Sequence, residues 1–129
     1  MQATLHTAQK NNHKKTQKKM KRYCQTLTLK NDQELIKNYV AEHQNVWQEV
    51  KDGMRQVGIL DMQIYIHENK LFMIVDTVDE FDWEKDMHKL STLPRQAEWE
   101  AYMDKYQDVE KGKASSEKWQ MMSQIFKLD

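Results

Sequence analysis

The hydrophobic and polar positions of the chain alternate with two different periods, which predict strands and helices in turn. Residues 22–28 alternate with period two and are rich in aromatic and β-branched side chains, which predicts a first strand. Apolar residues then recur every three or four positions over residues 35–57, which predicts one long helix. Asn31 and Glu34 have the spacing of a capping box at its start. Gly58 stands where a glycine commonly ends a helix.

The second half of the chain repeats this order. Residues 62–66 alternate and predict a second strand, and a short polar turn leads to a third at 71–76, whose run of apolar residues predicts burial on both faces. The helical period returns over residues 79–106, where Pro94 is expected to divide it into two segments. Residues 119–128 alternate again and predict a fourth strand.

The predicted order is β-α-β-β-α-β, which is typical of an α+β fold of the ferredoxin-like type. Helices cover only one face of such a sheet, and an apolar face of that size is seldom left in water. We therefore expect a homodimer of the dimeric α/β-barrel type, or packing of the sheet faces inside a larger oligomer. Several of the following residues are expected on the open face: Tyr23, Leu27, Ile64, Leu71, Met73 and Ile125.

Composition divides the chain into a tail and a body. Residues 1–22 carry seven Lys and Arg side chains and no acid, so residues 23–129 carry a net charge of −7. Residues 1–19 lack apolar periodicity, and we expect a disordered basic extension before a domain spanning 20–129. A lysine cluster also suits a nucleic-acid-contacting arm. Because no aromatic residue interleaves with the lysines, we favour an extension without a nucleic-acid partner.

Apolar runs and cysteine content restrict the cellular setting. The longest apolar run has about five residues, from Leu71 to Val75, so no membrane partner is expected. Cys24 is the single cysteine, which argues against disulfides and a structural metal site. A cytoplasmic protein is therefore expected.

The sequence has no phosphate-binding loop, dinucleotide fingerprint, zinc spacing or nucleophile elbow. The most specific pattern is Tyr39-x-x-x-His43, which places both side chains on one helix face. This pair is consistent with semi-buried packing and also with proton transfer, since histidine titrates near neutral pH. Trp99 is equally consistent with core packing and with closing a ligand pocket, whereas for Tyr102 core packing is favoured.

Read together, several segments resemble the L-rhamnose mutarotase family over residues 20–129. They are Arg22–Leu27, Tyr39–Trp47, Gly58–Tyr65, Leu71–Met73, Trp99–Met103 and Ile125–Phe126. The resemblance implies a ferredoxin-like dimer that exchanges the anomers of a free monosaccharide without cofactor or metal.

The resemblance also implies roles for individual residues. His43 matches the acid/base residue, Tyr39 contacts the sugar, and Trp99 is the first of an aromatic pair in the pocket. Glu100 stands at the second position of that pair, and Met62 stands where a substrate-contacting tyrosine is found in well-known members. These two departures leave the substrate open between L-rhamnose and L-fucose, with L-rhamnose first.

Two other functions remain open at this point. Cofactorless ferredoxin-like monooxygenases also use Trp and His in a dimeric α+β barrel, with a larger apolar pocket. A non-catalytic binding or regulatory module with a nucleic-acid-contacting tail is the alternative outside the enzymes.

Overall fold

Four strands form one antiparallel sheet in the computed structural model, which describes residues 20–109 and 112–129. The sheet order is β2-β3-β1-β4, and this confirms the ferredoxin-like arrangement. The strands are β1 Met20–Thr28, β2 Ile59–His67, β3 Lys70–Val78 and β4 Gln120–Met121. The basic extension predicted over residues 1–19 lies outside the described residues.

The helices pack on one face of this sheet. They are α1 Gln33–Glu42, α2 Gln48–Gln56, α3 Trp83–Ser91, α4 Gln96–Met103 and α5 Ser115–Lys118, with a 3₁₀ turn at His43–Asn45. Pro94 separates α3 from α4, as predicted, because it cannot donate a backbone hydrogen bond. None of the helices in the described part of the chain is long and apolar enough to span a membrane.

The predicted long helix is in fact two helices, so that prediction was wrong. The chain leaves the helical conformation at Val46 and Trp47, both extended with ψ 137°, and α2 starts afresh at Gln48. Neither glycine nor proline marks this break. The N-terminal cap of α1 lies one residue later than predicted. The carboxylate of Asp32, and not the side chain of Asn31, accepts from Leu35 N at 3.0 Å.

The two faces of the sheet are reversed relative to prediction. Leu27 and Leu71 pair across β1 and β3, and both are buried against the helices, as is Met73. The face away from the helices instead carries the intervening side chains of the three long strands: Cys24, Thr26, Tyr65, Phe72 and Ile74. Only the helix-facing side of β3 is a continuous core, so the predicted burial on both faces does not hold within one chain.

The C-terminal strand is shorter than predicted. β4 pairs with β1 only at Gln120 and Met121, and the last contact with β1 is from Met122 N to Cys24 O at 2.8 Å. Residues 122–129 then leave the sheet, and three apolar side chains there are largely exposed: Ile125 at 96%, Phe126 at 76% and Leu128 at 82%. The strand predicted over 119–128 is therefore formed only at its start, and its second half does not pair with the neighbouring residues of β1 in the described part of the chain.

Gly58 ends α2, as predicted, and begins the turn into β2. Its φ is +106°, a conformation that residues with a Cβ rarely adopt. A Cβ at this position would lie 2.9 Å from Val78 Cγ2. The close approach lets Val78 N donate to Gly58 O at 2.9 Å, which ties the end of β3 to the helix layer.

Candidate active site

A cavity of about 380 Å³ lies between the helices and the buried face of the sheet. Its volume is near the lower end of the usual range for small-molecule pockets. Its wall is formed by Tyr39, His43, Gln44, Val46, Lys51, Met54, Met62, Ile64, Met73, Gln96, Trp99, Met103, Gln107, Ser115 and Trp119. The wall is thus apolar over more than half of its residues, four of them methionines, and it carries six polar side chains that could orient a small ligand.

His43 lies at the C-terminal end of α1, where the chain turns away from the helix axis. Its Nδ1 is 2.9 Å from the carbonyl oxygen of Tyr39. Because a carbonyl only accepts hydrogen bonds, Nδ1 carries the proton and the Nε2 lone pair is left unprotonated in the neutral ring. Burial lowers the pKa of His43 below its ordinary value of 6.5, with the Tyr39 contact and the charge of Glu42 acting against this. The imidazole is therefore a neutral base at pH 7.

Tyr39 lies beside this imidazole, as the four-residue spacing predicted. The two ring centroids are 4.3 Å apart, and Tyr39 is only 3% exposed. Burial raises the pKa of the Tyr39 hydroxyl well above its ordinary value of 10.0, although a hydrogen bond from the side chain of Gln107 opposes the shift. The hydroxyl thus stays protonated at neutral pH and can donate a hydrogen bond.

Trp99 forms the aromatic part of the wall next to the histidine. Its ring meets the His43 imidazole edge-on, with centroids 5.5 Å apart and planes at 74°. A second edge-on contact, 5.2 Å between centroids, joins Trp99 to Trp47. The guanidinium of Arg95 lies 4.0 Å from the centre of the Trp47 ring and covers it from outside. Packing therefore holds Trp99 in one orientation relative to His43.

The other sequence-predicted site residues separate into two groups. Met62 lines the cavity from β2, whereas Glu100 is not among the lining residues. Glu100 is 7% exposed, and its carboxylate accepts hydrogen bonds from the Gln96 side chain and the Ser115 backbone. Tyr102 also lies outside the cavity wall and donates to Glu42 Oε1 at 2.7 Å.

Two buried glutamines in the wall were missed by the sequence reasoning. Gln96 is 2% exposed and Gln107 is 3% exposed. Gln96 precedes Trp99 by three residues, and this helical spacing was a usable signal that both lie on one face. Gln107 follows α4 in an irregular segment that bridges to Leu29, so no periodicity could have identified it.

The described part of the chain contains no group of three or more His, Cys, Asp or Glu side chains arranged to hold a metal ion. Polar chemistry in the cavity comes from one imidazole, one phenol, the amides, a lysine and a serine. This set can move a proton and hydrogen-bond hydroxyl groups.

The sequence profile of L-rhamnose mutarotase matches residues 22–128. The chain belongs to the L-rhamnose mutarotase family.

Two curated relatives match this chain over most of their own length. A UPF0734 protein of Dictyostelium discoideum is 36% identical over 114 residues, which is 84% of this chain and 90% of that protein. An L-fucose mutarotase of Xanthomonas campestris pv. campestris is 32% identical over 111 residues, covering 84% of this chain and 89% of that one.

The fold is shared with a solved member of the family. The crystal structure of an L-rhamnose mutarotase from Formosa agariphila superposes with a TM-score of 0.59, covering 84% of this chain and 99% of that chain at 18% identity. Mutarotases interconvert sugar anomers, so the protein is an isomerase.

Proposed function

We propose that the protein interconverts the anomers of a free 6-deoxy-L-sugar, with L-rhamnose the first substrate and L-fucose the second, by general acid–base catalysis at His43. The observation that carries this proposal is the geometry of one imidazole. His43 lies in the cavity wall with Nδ1 fixed on a backbone carbonyl, burial keeps the ring neutral, and the rings of Tyr39 and Trp99 both pack against it.

The proposed reaction needs one proton to move between two oxygens on the same carbon. Nε2 of His43 takes the proton from the C1 hydroxyl, and the resulting imidazolium returns it to the ring oxygen as the bond between C1 and that oxygen breaks. The open aldehyde rotates about the bond between C1 and C2, and the reverse steps close the ring to the other anomer. Both oxygens are attached to C1, so a single nitrogen can reach each of them, and the protons balance without metal or cofactor.

The neighbouring side chains would bind the sugar during these steps. The Tyr39 O–H would donate to a sugar hydroxyl, since its raised pKa keeps it protonated. Trp99 would contact the apolar side of the ring near the C6 methyl group. Met62 would add an apolar contact where well-known members have a tyrosine hydroxyl.

Exchange between anomers can be measured directly by one-dimensional saturation-transfer NMR, with L-rhamnose and L-fucose side by side. We expect exchange faster than in buffer for at least one sugar, and the larger rate constant identifies the preferred substrate.

Oxygen uptake with aromatic substrates tests the monooxygenase alternative. We expect no uptake, because a cavity of about 380 Å³ suits a monosaccharide better. Oxygen consumption without anomer exchange would overturn the assignment.

The value of kcat/KM should vary with pH in proportion to the fraction of His43 that is unprotonated. Protonation of His43 removes the base, and burial lowers its pKa below 6.5. We therefore expect kcat/KM, after subtraction of the uncatalysed rate, to be constant around pH 7 to 8 and to fall about tenfold per unit below that pKa. Tyr39 should add no alkaline limb below pH 10.0, because its pKa is raised above that value. A rate that rises as the pH falls through 6 would contradict a neutral His43 base.

We also propose a homodimer formed through the open face of the sheet. Phe72 and Ile74 are partly exposed there, and Tyr65 is 56% exposed. The largely exposed apolar side chains of residues 122–129 would cover part of the same face on a second copy, which would remove them from water. We place this enzyme in the cytoplasm, where the lone Cys24 would stay reduced.

A further inference from the structure

Gln96 lies buried in the cavity wall, and its side-chain amide is hydrogen-bonded at the nitrogen but not at the oxygen. Its Nε2 donates to Glu100 Oε2 at 2.8 Å. Because a carboxylate only accepts hydrogen bonds, this contact determines which end of the amide faces Glu100. The other end, Oε1, is buried and has no hydrogen-bond partner among the described residues. Buried acceptors without a partner are uncommon in folded proteins, so this oxygen requires a physical explanation.

Glu100 cannot easily turn away and release the amide. One carboxylate oxygen accepts from Gln96 and the other from the backbone N–H of Ser115. The same stretch of α4 is clamped by Lys118, whose Nζ donates to the carbonyl of Glu100 at 2.8 Å and pairs with Asp104 at 2.6 Å. Since both oxygens of Glu100 are engaged and the residue is 7% exposed, the amide of Gln96 is held in one orientation.

We propose that Gln96 Oε1 accepts a hydrogen bond from a hydroxyl of the bound sugar, and that Glu100 is the positioning residue that turns this oxygen toward the ligand. This inference rests on the proposed function. The surrounding wall supports it, because its methionines cannot donate a hydrogen bond and none of its described polar side chains is a partner of this oxygen. A hydroxyl-bearing ligand supplies the missing donor, whereas a hydrocarbon ligand would leave the oxygen unpaired.

The Gln96–Glu100 hydrogen bond also suggests a role for Glu100, which stands where the family resemblance implies an aromatic residue. The resemblance to the family places a second aromatic ring at this position, but here Glu100 faces away from the cavity and acts on it through Gln96. Recognition at this side of the pocket thus changes from stacking to a hydrogen bond. Such a site discriminates against an analogue that lacks the contacted hydroxyl, because the buried acceptor then remains unpaired.

Gln96→Met tests the acceptor, since methionine has a similar length and no hydrogen-bonding amide. For the sugar that the wild-type protein prefers, we expect KM to rise about tenfold while kcat stays within about twofold. Among its monodeoxy analogues, the one that lacks the contacted hydroxyl should give the same KM with wild-type and variant protein. Gln56→Met, on the exposed side of α2, makes the same chemical change away from the cavity and should leave KM unaltered.

Glu100→Gln tests the positioning role with an isosteric side chain. A glutamine can present either end of its amide, so Gln96 is no longer held in one orientation. We expect a severalfold rise in KM for the full sugar and a smaller difference between it and the deoxy analogue that identifies the hydroxyl. A merely structural role would lower thermal stability and leave that difference intact, which would overturn the positioning assignment.

Titration of tryptophan fluorescence with the same sugars separates this inference from the proposed function, because it measures binding without turnover. An inactive wild-type protein that binds sugar, and loses about tenfold in affinity on Gln96→Met, would contradict mutarotation and support the acceptor. Active protein whose KM is unchanged by Gln96→Met, or raised equally for every analogue, would overturn the acceptor and leave the mutarotase assignment standing. No binding and no exchange with either sugar would overturn both.

Discussion

His43→Gln lowers the enzymatic rate of anomer exchange by about 10²–10⁴-fold, the usual contribution of a positioned general acid–base group. Glutamine is close in length and can still donate to the Tyr39 carbonyl, but it has no nitrogen that titrates near neutral pH. The loss should appear in kcat, because the proton moves only in the chemical step. Saturation-transfer NMR on the preferred sugar measures it against the uncatalysed background.

His88→Gln is the matched control for this experiment. His88 lies on the exposed side of α3 and is not part of the cavity wall, so the same substitution there should leave the exchange rate unaltered. Equal thermal stability of the two variants would show that the loss is chemical. Full activity in the His43 variant would remove that residue from the mechanism and move the search for the base to another group in the wall.

Ile74→Asp should convert the proposed homodimer into a folded monomer. Ile74 is on the central strand β3 and points away from the helices, toward the face on which we place the second copy. A carboxylate there would be buried without a partner in the dimer, and such burial is strongly unfavourable. In a single chain the same carboxylate reaches water, so the domain should still fold. Sedimentation velocity should show two chains for the wild-type protein and one for the variant.

Ala97→Asp provides the comparison for this charge change. Ala97 is exposed in the first turn of α4, on the helix side, where an acid is tolerated by the helix dipole. This variant should remain a dimer.

Removal of residues 123–129 should weaken the association of the two chains in proportion to the apolar side chains that the truncation deletes. A wild-type protein that sediments as one chain at micromolar concentration would refute the dimer.

Sequence patterns correctly predicted that the Tyr39 and His43 side chains lie next to each other. Tyr39 and His43 are one helical turn apart and remain in contact because α1 continues to Glu42, just before the unpredicted break. Their approach to Trp99 was not predictable from periodicity. It requires the chain to turn at Val46 so that Trp47 packs against Trp99, and this tertiary contact outweighs a locally helical pattern.

Contacts between distant parts of the chain also decided whether several side chains face the helices, the cavity or the open side of the sheet. A period of two identifies which residues of β1 and β3 share a face, but not which face the helices cover, and Leu27 and Leu71 were assigned to the wrong one. Likewise, nothing local shows that Glu100 is held by Ser115, fifteen residues away, and so is turned from the cavity.

The amino-acid sequence by itself determined the order of the strands, the division of the helices at Pro94, the end of α2 at Gly58 and the Tyr39–His43 pair, because these follow from periodicity and backbone geometry within a few residues. Only the tertiary structure decided which face of the sheet became the core, where the first helix broke, and which way the amide of Gln96 points. Those features depend on contacts between residues distant in the chain, and their free energies exceed the local preferences that a sequence pattern records.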